Sequence, residues 1–422
     1  MSYFINKQNA ISQTPIKVLL YIMDYQSLNN ISPSFCAAKW TQVTIDLQHG
    51  TTHSCHHPIR HQIPLSELKK DVHALHNTKF KKKQRAKMLK GQRPKECSYC
   101  WSIEDADSGN ISDRYIKSFD SWSKPYLDEI SNLPWNANYA PKYLELFFSS
   151  KCNLSCSYCM ADVSSSIEKE MDMYGPYPVK DRIARKHRVY TSKKINKKEN
   201  NPFVEAFWKW LPEVYNDLKV LRLTGGEPLL DDNFDRLLDY MIAHPHENLT
   251  FAVNSNLCVS QQLIDNFFDK LKMLQEKTNI KIELYSSLDT YGKQAEYIRS
   301  GLKYDKVINN IKRFQESVTN GHVTVMCCFN VLSFSSFDLF LDDILHLKMN
   351  SNVLLDISFL KDPMYLCSKI CNDDQLNKLK GYVDIMENEN FTQEETQKLK
   401  RIYLLLKSMN SEKFKNERRD FN

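Results

Sequence analysis

Cys152, Cys156 and Cys159 are spaced C-x3-C-x2-C in the run Lys-Cys-Asn-Leu-Ser-Cys-Ser-Tyr-Cys-Met, just after the apolar stretch Tyr143 to Phe148. Thiolates are ligands for soft metals and iron–sulfur clusters. Clusters are normally held by four cysteines. Three leave one iron open, by the logic that separates closed structural metal sites from catalytic ones with a free position. The spacing therefore points to a [4Fe-4S] cluster with one exchangeable iron, against the alternative of three free thiols in a loop. About 65 residues downstream, Leu221-Arg222-Leu223-Thr224-Gly225-Gly226-Glu227-Pro228 reads as a buried strand ending in a glycine turn. Glycines there let a backbone approach a ligand closely.

A second cysteine set lies in the first 140 residues: Cys36, Cys55, Cys97 and Cys100, the last two as C-x2-C. Four thiolates make a complete tetrahedral set, suited to zinc or a second [4Fe-4S] cluster; simple buried thiols are the alternative. His53, His56 and His57 flank Cys55 and are read as capping or solvated groups that could replace one ligand. Cys258, Cys327, Cys328, Cys367 and Cys371 are read as buried thiols. Twelve cysteines in a chain with no secretory layout argue for metal or redox chemistry rather than disulfides.

The elements that must position these groups are legible from apolar runs. Six strands are expected: Tyr143 to Phe148, Val220 to Thr224, Thr250 to Asn254, Lys281 to Leu288, Val323 to Phe329 and Val353 to Phe359. Helical patterns separate them, at Pro202 to Tyr215, Asn233 to Ala243, Gln261 to Lys277, Tyr304 to Ser317 and Phe337 to Leu347. Strands alternating with helices predict an α/β fold with a parallel sheet, in which chemistry gathers at the C-terminal strand ends. The expected division is a cysteine- and histidine-rich extension (1–140), a core (141–365) and a C-terminal helical segment (366–422). The Lys- and Glu-rich tail from Asn390 reads as an amphipathic helix.

The chain has 422 residues and a net charge of +6. No apolar run is long enough to span a bilayer, and the N-terminus lacks a signal-peptide pattern; a cytoplasmic location is expected. Charge is localised. Lys69 to Lys95 holds eleven Lys or Arg and one acid, and Lys180 to Asn200 holds nine and two. Such stretches are solvated faces or attract phosphate-rich partners. Tyr174, Tyr177 and Tyr190 flank the second and could stack bases.

The three-cysteine loop with Tyr158 before its last thiol, and the Gly-Gly-Glu turn, resemble the radical SAM superfamily. Along nearly the whole chain the sequence is similar to twitch-domain-containing radical SAM proteins, related to the SPASM/twitch peptide- and cofactor-modifying enzymes. The shared segments include Cys36-Ala37-Ala38-Lys39-Trp40, Thr52 to Pro58, Leu75-His76-Asn77-Thr78, Cys97-Ser98-Tyr99-Cys100-Trp101 and Phe207-Trp208-Lys209-Trp210. The resemblance implies a partial (β/α)6 barrel, S-adenosylmethionine (SAM) chelated to the open iron, and an external one-electron reductant. SAM is then cleaved to methionine and a 5′-deoxyadenosyl radical that takes hydrogen from a substrate. It implies that the carbonyls near Gly225 and Gly226 and the Glu227 carboxylate accept from the SAM ammonium. Ser255, Asn256 and Ser287 would contact its ribose and carboxylate, and Arg299, in Glu296-Tyr297-Ile298-Arg299-Ser300-Gly301, would clamp the carboxylate. Helix caps and ion pairs are the alternatives for these groups. One departure stands out: the twitch and SPASM cysteines follow the barrel, whereas the complete set here precedes it. The implied substrate is a peptide or amino-acid-derived group. The basic stretches suggest a nucleobase in DNA or RNA instead, and a metal-stapled, non-catalytic binding module is a third possibility.

Overall fold

A computed structural model describes residues 27–107, 110–175, 200–349 and 351–409. It divides into two units. The first comprises Met1–Phe148, Lys194–Arg222 and Asn248–Thr250, and the second Ser149–Lys193, Leu223–Glu247 and Phe251–Asn422.

In the first unit β1 (Gln42–Asp46) runs antiparallel to β2 (Thr51–His53) and parallel to β4 (Tyr143–Phe147); β3 (His61–Gln62) pairs with β2. β1 was not expected. Its polar residues Gln42, Thr44 and Asp46 hide a strand that is buried throughout. Asp46 is reconciled with burial by His49 Nδ1 at 2.8 Å and the Arg60 guanidinium at 2.8 Å. The helix Pro202–Val214 starts where proline's fixed φ suits a first turn, and the Asn201 side chain accepts from the Phe203 and Val204 N–H groups. Its buried stripe is Phe203, Ala206, Phe207, Trp210, Leu211 and Val214. Phe203 lies over Gly50, which has φ +64°; a Cβ there would sit 2.1 Å from the ring.

The second unit carries β5 (Ser155–Cys156), the end of β6 (Val220–Thr224), most of β7 (Thr250–Ser255), β8 (Lys281–Ser287), β9 (Arg299–Ser300), β10 (Gly321–Phe329) and β11 (Val353–Phe359). The order β11-β10-β8-β7 holds, with β10 parallel to both neighbours: Val323 faces Leu284 on one side and Val353 on the other. The expected helices return between strands. Tyr304–Ser317, for example, buries Val307, Ile311 and Phe314 at helical spacing. This is the mixed α/β architecture with parallel strands that the sequence predicts, with all six expected strands present. The C-terminal end is helical, Asp373–Asn388 and Gln393–Lys407. Buried Glu395 fixes the second helix by accepting from the Leu355 N–H at 2.6 Å and pairing with Lys348 at 2.8 Å. Among the described residues no helix is long and apolar enough to cross a membrane.

Candidate active site

The three-cysteine loop lies in the second unit and is held at every turn by backbone contacts. Cys152 N–H donates to Ser165 Oγ at 3.1 Å, and its carbonyl accepts from Ser166 Oγ at 2.7 Å. β5 pairs antiparallel with β9, Ser155 opposite Ser300 and Cys156 opposite Arg299, and the Ser157 N–H donates to the Ile298 carbonyl at 2.8 Å. The Cys159 N–H closes back on the Cys156 carbonyl at 2.9 Å. Asn153 Nδ2 donates to the Cys258 carbonyl and its Oδ1 accepts from Asn256 Nδ2, both at 3.0 Å. Burial pushes the Cys156 thiol up to about 12, with Cys159 and Cys152 close enough to add to it and Arg299 opposing. Burial also raises Cys152. Cys156 and Cys152 resist ionisation on their own, and a bound metal deprotonates its thiols outright. In that respect the donor set fits a [4Fe-4S] cluster.

The Gly-Gly-Glu turn clamps the start of this loop. The Gly226 N–H reaches the Ser149 carbonyl at 3.4 Å, and the Glu227 N–H donates to the Lys151 carbonyl at 2.7 Å. A Cβ on Gly226 would lie 2.3 Å from the Lys151 carbonyl oxygen, so this glycine is required by the cysteine loop itself. Gly225 has φ +138°, a conformation that favours glycine. Glu227 is buried, with Oε1 accepting from Ser255 Oγ at 2.8 Å and the Leu229 N–H at 3.2 Å, and Oε2 from the Asn256 N–H at 2.7 Å. Burial raises its carboxyl to about 7 against the pull of those donors. Asn256 Oδ1 also accepts from the Cys258 N–H at 2.7 Å. Ser255 Oγ and the Asn256 N–H thus meet on Glu227, while the Asn256 side chain is turned to Asn153 and the Cys258 N–H.

Arg299 is likewise engaged within the protein. Its fork closes on Asp289, Nε to Oδ2 at 2.9 Å and Nη2 to Oδ1 at 3.0 Å, so the bidentate geometry expected for a SAM carboxylate is taken by an internal one. Nη1 points at Cys156 Sγ, 3.8 Å away. Asp289 also accepts from Tyr158 Oη at 2.8 Å and the Cys328 N–H at 2.9 Å. Sequence reasoning did not single out Asp289, which follows the strand expected over Lys281 to Leu288. The signal was an acid at a strand end ten residues before an arginine. Ser287 ends β8, half-buried, opposite Met326.

In the first unit Cys36, Cys55, Cys97 and Cys100 line one small cavity with Met88 and Trp101. The histidines beside Cys55 have other partners: His57 Nε2 meets Asp113 at 2.6 Å and its ring stacks on Tyr99 at 3.7 Å, while His53 Nδ1 meets the Cys55 carbonyl. Among the later cysteines, Cys258, Cys327, Cys367 and Cys371 are buried and Cys328 is half-buried. From the first basic stretch Lys81 and Arg85 turn inward and are buried. Nearly all of the second, with Tyr177 and Tyr190, lies outside the described residues, and Tyr174 is exposed.

Residues 146–344 match the family described as "Radical SAM superfamily". The chain is 26% identical over 231 residues to the radical SAM cyclopropyl synthase TigE of Paramaledivibacter caminithermalis, across 52% of this chain and 43% of that protein; the match spans less than half the relative's length. Among solved structures it resembles Streptococcus suis SuiB bound to S-adenosylmethionine (14% identity, TM-score 0.39, 83% of this chain and 70% of that one). It also resembles TYW1 with a lysine–pyruvate adduct bound (15%, 0.29, 56% and 70%).

Proposed function

The chain belongs to the radical SAM superfamily and is an enzyme of that family, and from this premise we propose that it removes a hydrogen atom from a peptide or amino-acid-derived substrate. The family implies a [4Fe-4S] cluster and SAM. The observation that carries the reading is that Cys152, Cys156 and Cys159 share one short loop clamped by both the Gly-Gly-Glu turn and β9.

When bound, cluster and SAM supply the reductive cleavage that yields methionine and a 5′-deoxyadenosyl radical; the protein positions and excludes water. Cys152, Cys156 and Cys159 would hold three irons. Lys151 and Asn153, beside the first cysteine, are tied to Glu227 and Asn256, so this pair sets where Cys152 stands. Glu227, Ser255 and Asn256 would act as positioning residues, shaping strand ends that would receive SAM, with the carbonyls of the Gly225–Gly226 turn as the candidate acceptors for its ammonium. Arg299, locked by Asp289, presents positive charge and a donor to Cys156 Sγ.

The peptide assignment is supported by the resemblance of the Glu296–Gly301 stretch to peptide-modifying members. TigE is a radical SAM cyclopropyl synthase, which is consistent with radical chemistry at a substrate carbon. Burial of Lys81 and Arg85 removes two cations from the surface that a nucleic-acid reading would use. The test is 5′-deoxyadenosine and methionine formation by anaerobically reconstituted, dithionite-reduced protein. The expected result is product from wild type and none from a Cys152→Ala/Cys156→Ala/Cys159→Ala variant. No product from either overturns the reading. Binding to single-stranded DNA or RNA that falls steeply with salt would favour the nucleobase substrate over the peptide.

A further inference from the structure

We infer that Gln42, Thr44 and Glu145, on the polar face of β1 and β4 in the first unit, form a binding site for a protonated amine of the substrate. The inference rests on the peptide reading above, in which such a group is a lysine side chain or an N-terminal amine.

Strand pairing puts the three side chains together. Thr44 stands opposite Glu145 of β4 and opposite His53 of β2, and Gln42 stands opposite Tyr143. Partners in register share a face of a sheet, and so do residues two apart along a strand. The alternate residues Val43, Ile45, Leu144 and Leu146 are apolar and fully buried, and they form the other face. The sheet here has one apolar side and one side of hydrogen-bonding groups.

Those groups are short of partners inside the protein. Gln42 is 0% exposed, and Thr44 and Glu145 are each 8% exposed. Among the described residues neither amide atom of the Gln42 side chain, nor the Thr44 hydroxyl, meets a hydrogen-bond partner. The Lys81 ammonium reaches the main-chain carbonyl of Gln42, at 3.0 Å, and not its amide. The Glu145 carboxylate meets the Tyr143 hydroxyl at a long 3.4 Å, and among the described residues no Lys, Arg or His forms an ion pair with it. Arg222 is held on that same hydroxyl, and Arg60 on Asp46 at 2.8 Å. Buried polar groups are as a rule satisfied and buried carboxylates paired. On this face Asp46 obeys the rule, and Gln42, Thr44 and Glu145 break it.

Charge and donor count name the class of ligand. An ammonium carries one positive charge and three donors. Glu145 offers the opposite charge, and Thr44 Oγ1 and Gln42 Oε1 offer two further acceptors. A metal ion suits the set less well, because it holds one carboxylate and, among the described residues, no three His, Cys, Asp or Glu side chains group as ligands. A phosphate-bearing ligand is disfavoured, because an unpaired carboxylate repels it. Thr51, His53, Tyr143 and Arg222 are half-exposed and form the rim of this face. Acceptors so deeply covered suit the narrow, long stem of lysine best.

The experiment measures binding of Nα-acetyl-lysine N-methylamide to full-length, anaerobically reconstituted protein by saturation-transfer NMR and calorimetry. Acetyl-norleucine N-methylamide is the uncharged control, and glycine N-methylamide presents an α-ammonium. Wild type is expected to prefer the lysine probe to the norleucine one by about tenfold or more, the worth of a hydrogen bond to a charged group. Glu145→Gln should abolish the preference, and Thr44→Val should weaken binding of the lysine probe. Both variants should melt no lower than wild type, because each removes a group that folding leaves unsatisfied. Tighter binding of glycine N-methylamide would support the site and assign it to an N-terminal amine. No preference in wild type, a preference that survives Glu145→Gln, or displacement of the lysine probe by single-stranded DNA or RNA overturns the proposal. Variants that melt well below wild type overturn it too, by showing the two side chains to be structural. Amine binding without 5′-deoxyadenosine formation would sink the proposed activity and leave this site standing; the converse would do the reverse.

Discussion

Arg299 Nη1 lies 3.8 Å from Cys156 Sγ while the rest of its guanidinium is locked on Asp289. A fixed positive charge beside a ligating sulfur stabilises the more negative, reduced cluster and raises its potential. Arg299→Gln is expected to lower the midpoint potential, by the worth of one charged hydrogen bond, about 1.5–3 kcal/mol. It also strands Asp289, at a cost of about 3–5 kcal/mol in stability. Arg299→Gln/Asp289→Asn should recover most of the stability and none of the potential. EPR-monitored redox titration and denaturant unfolding separate the two effects; an unchanged potential in both variants would show that Arg299 serves packing alone.

Gly226→Ala puts a methyl group 2.3 Å from the Lys151 carbonyl oxygen. Backbone lies on both sides of that contact, so the cysteine loop must move. Overpacking of this kind costs about 1–3 kcal/mol. The variant should stay folded by circular dichroism and retain well under half of the wild-type iron at the SAM-binding cluster. Full iron retention would mean that the turn does not set the loop.

Glu227 predicts a pH dependence. Burial raises its carboxyl from the ordinary 4.5 to about 7 in the folded chain. The folded state therefore holds the proton that the unfolded state has released between pH 4.5 and 7. Stability falls as pH rises through that window, by about 3 kcal/mol in all, and is flat above it. In Glu227→Gln this component disappears. Urea unfolding of cofactor-free protein at pH 5 and pH 7.5 should show a larger decline for wild type than for the variant. Equal declines would place the titration elsewhere.

Much of this architecture was legible because burial writes apolar runs. Val220 to Thr224 and Val353 to Phe359 declare themselves as strands, and the three-thiol loop declares its chemistry by spacing. β1 escaped notice because Gln42, Thr44 and Asp46 look solvated, and only the later His49 and Arg60 make a buried Asp46 tolerable. The engagement of Arg299 with Asp289, and of Ser255 and Asn256 with Glu227, was hidden for a different reason. A polar side chain at a strand end serves a ligand or a neighbour equally well, and which one it meets is decided by residues 10 to 29 positions away in the chain.

The most direct test of the central claim is EPR of the dithionite-reduced, reconstituted protein with and without SAM. The expected signal changes when SAM is added, because a cluster held by Cys152, Cys156 and Cys159 would keep one iron free to bind it. That response should vanish in the Cys152→Ala/Cys156→Ala/Cys159→Ala variant. A wild-type spectrum indifferent to SAM, or a SAM response that survives loss of the three cysteines, would contradict it.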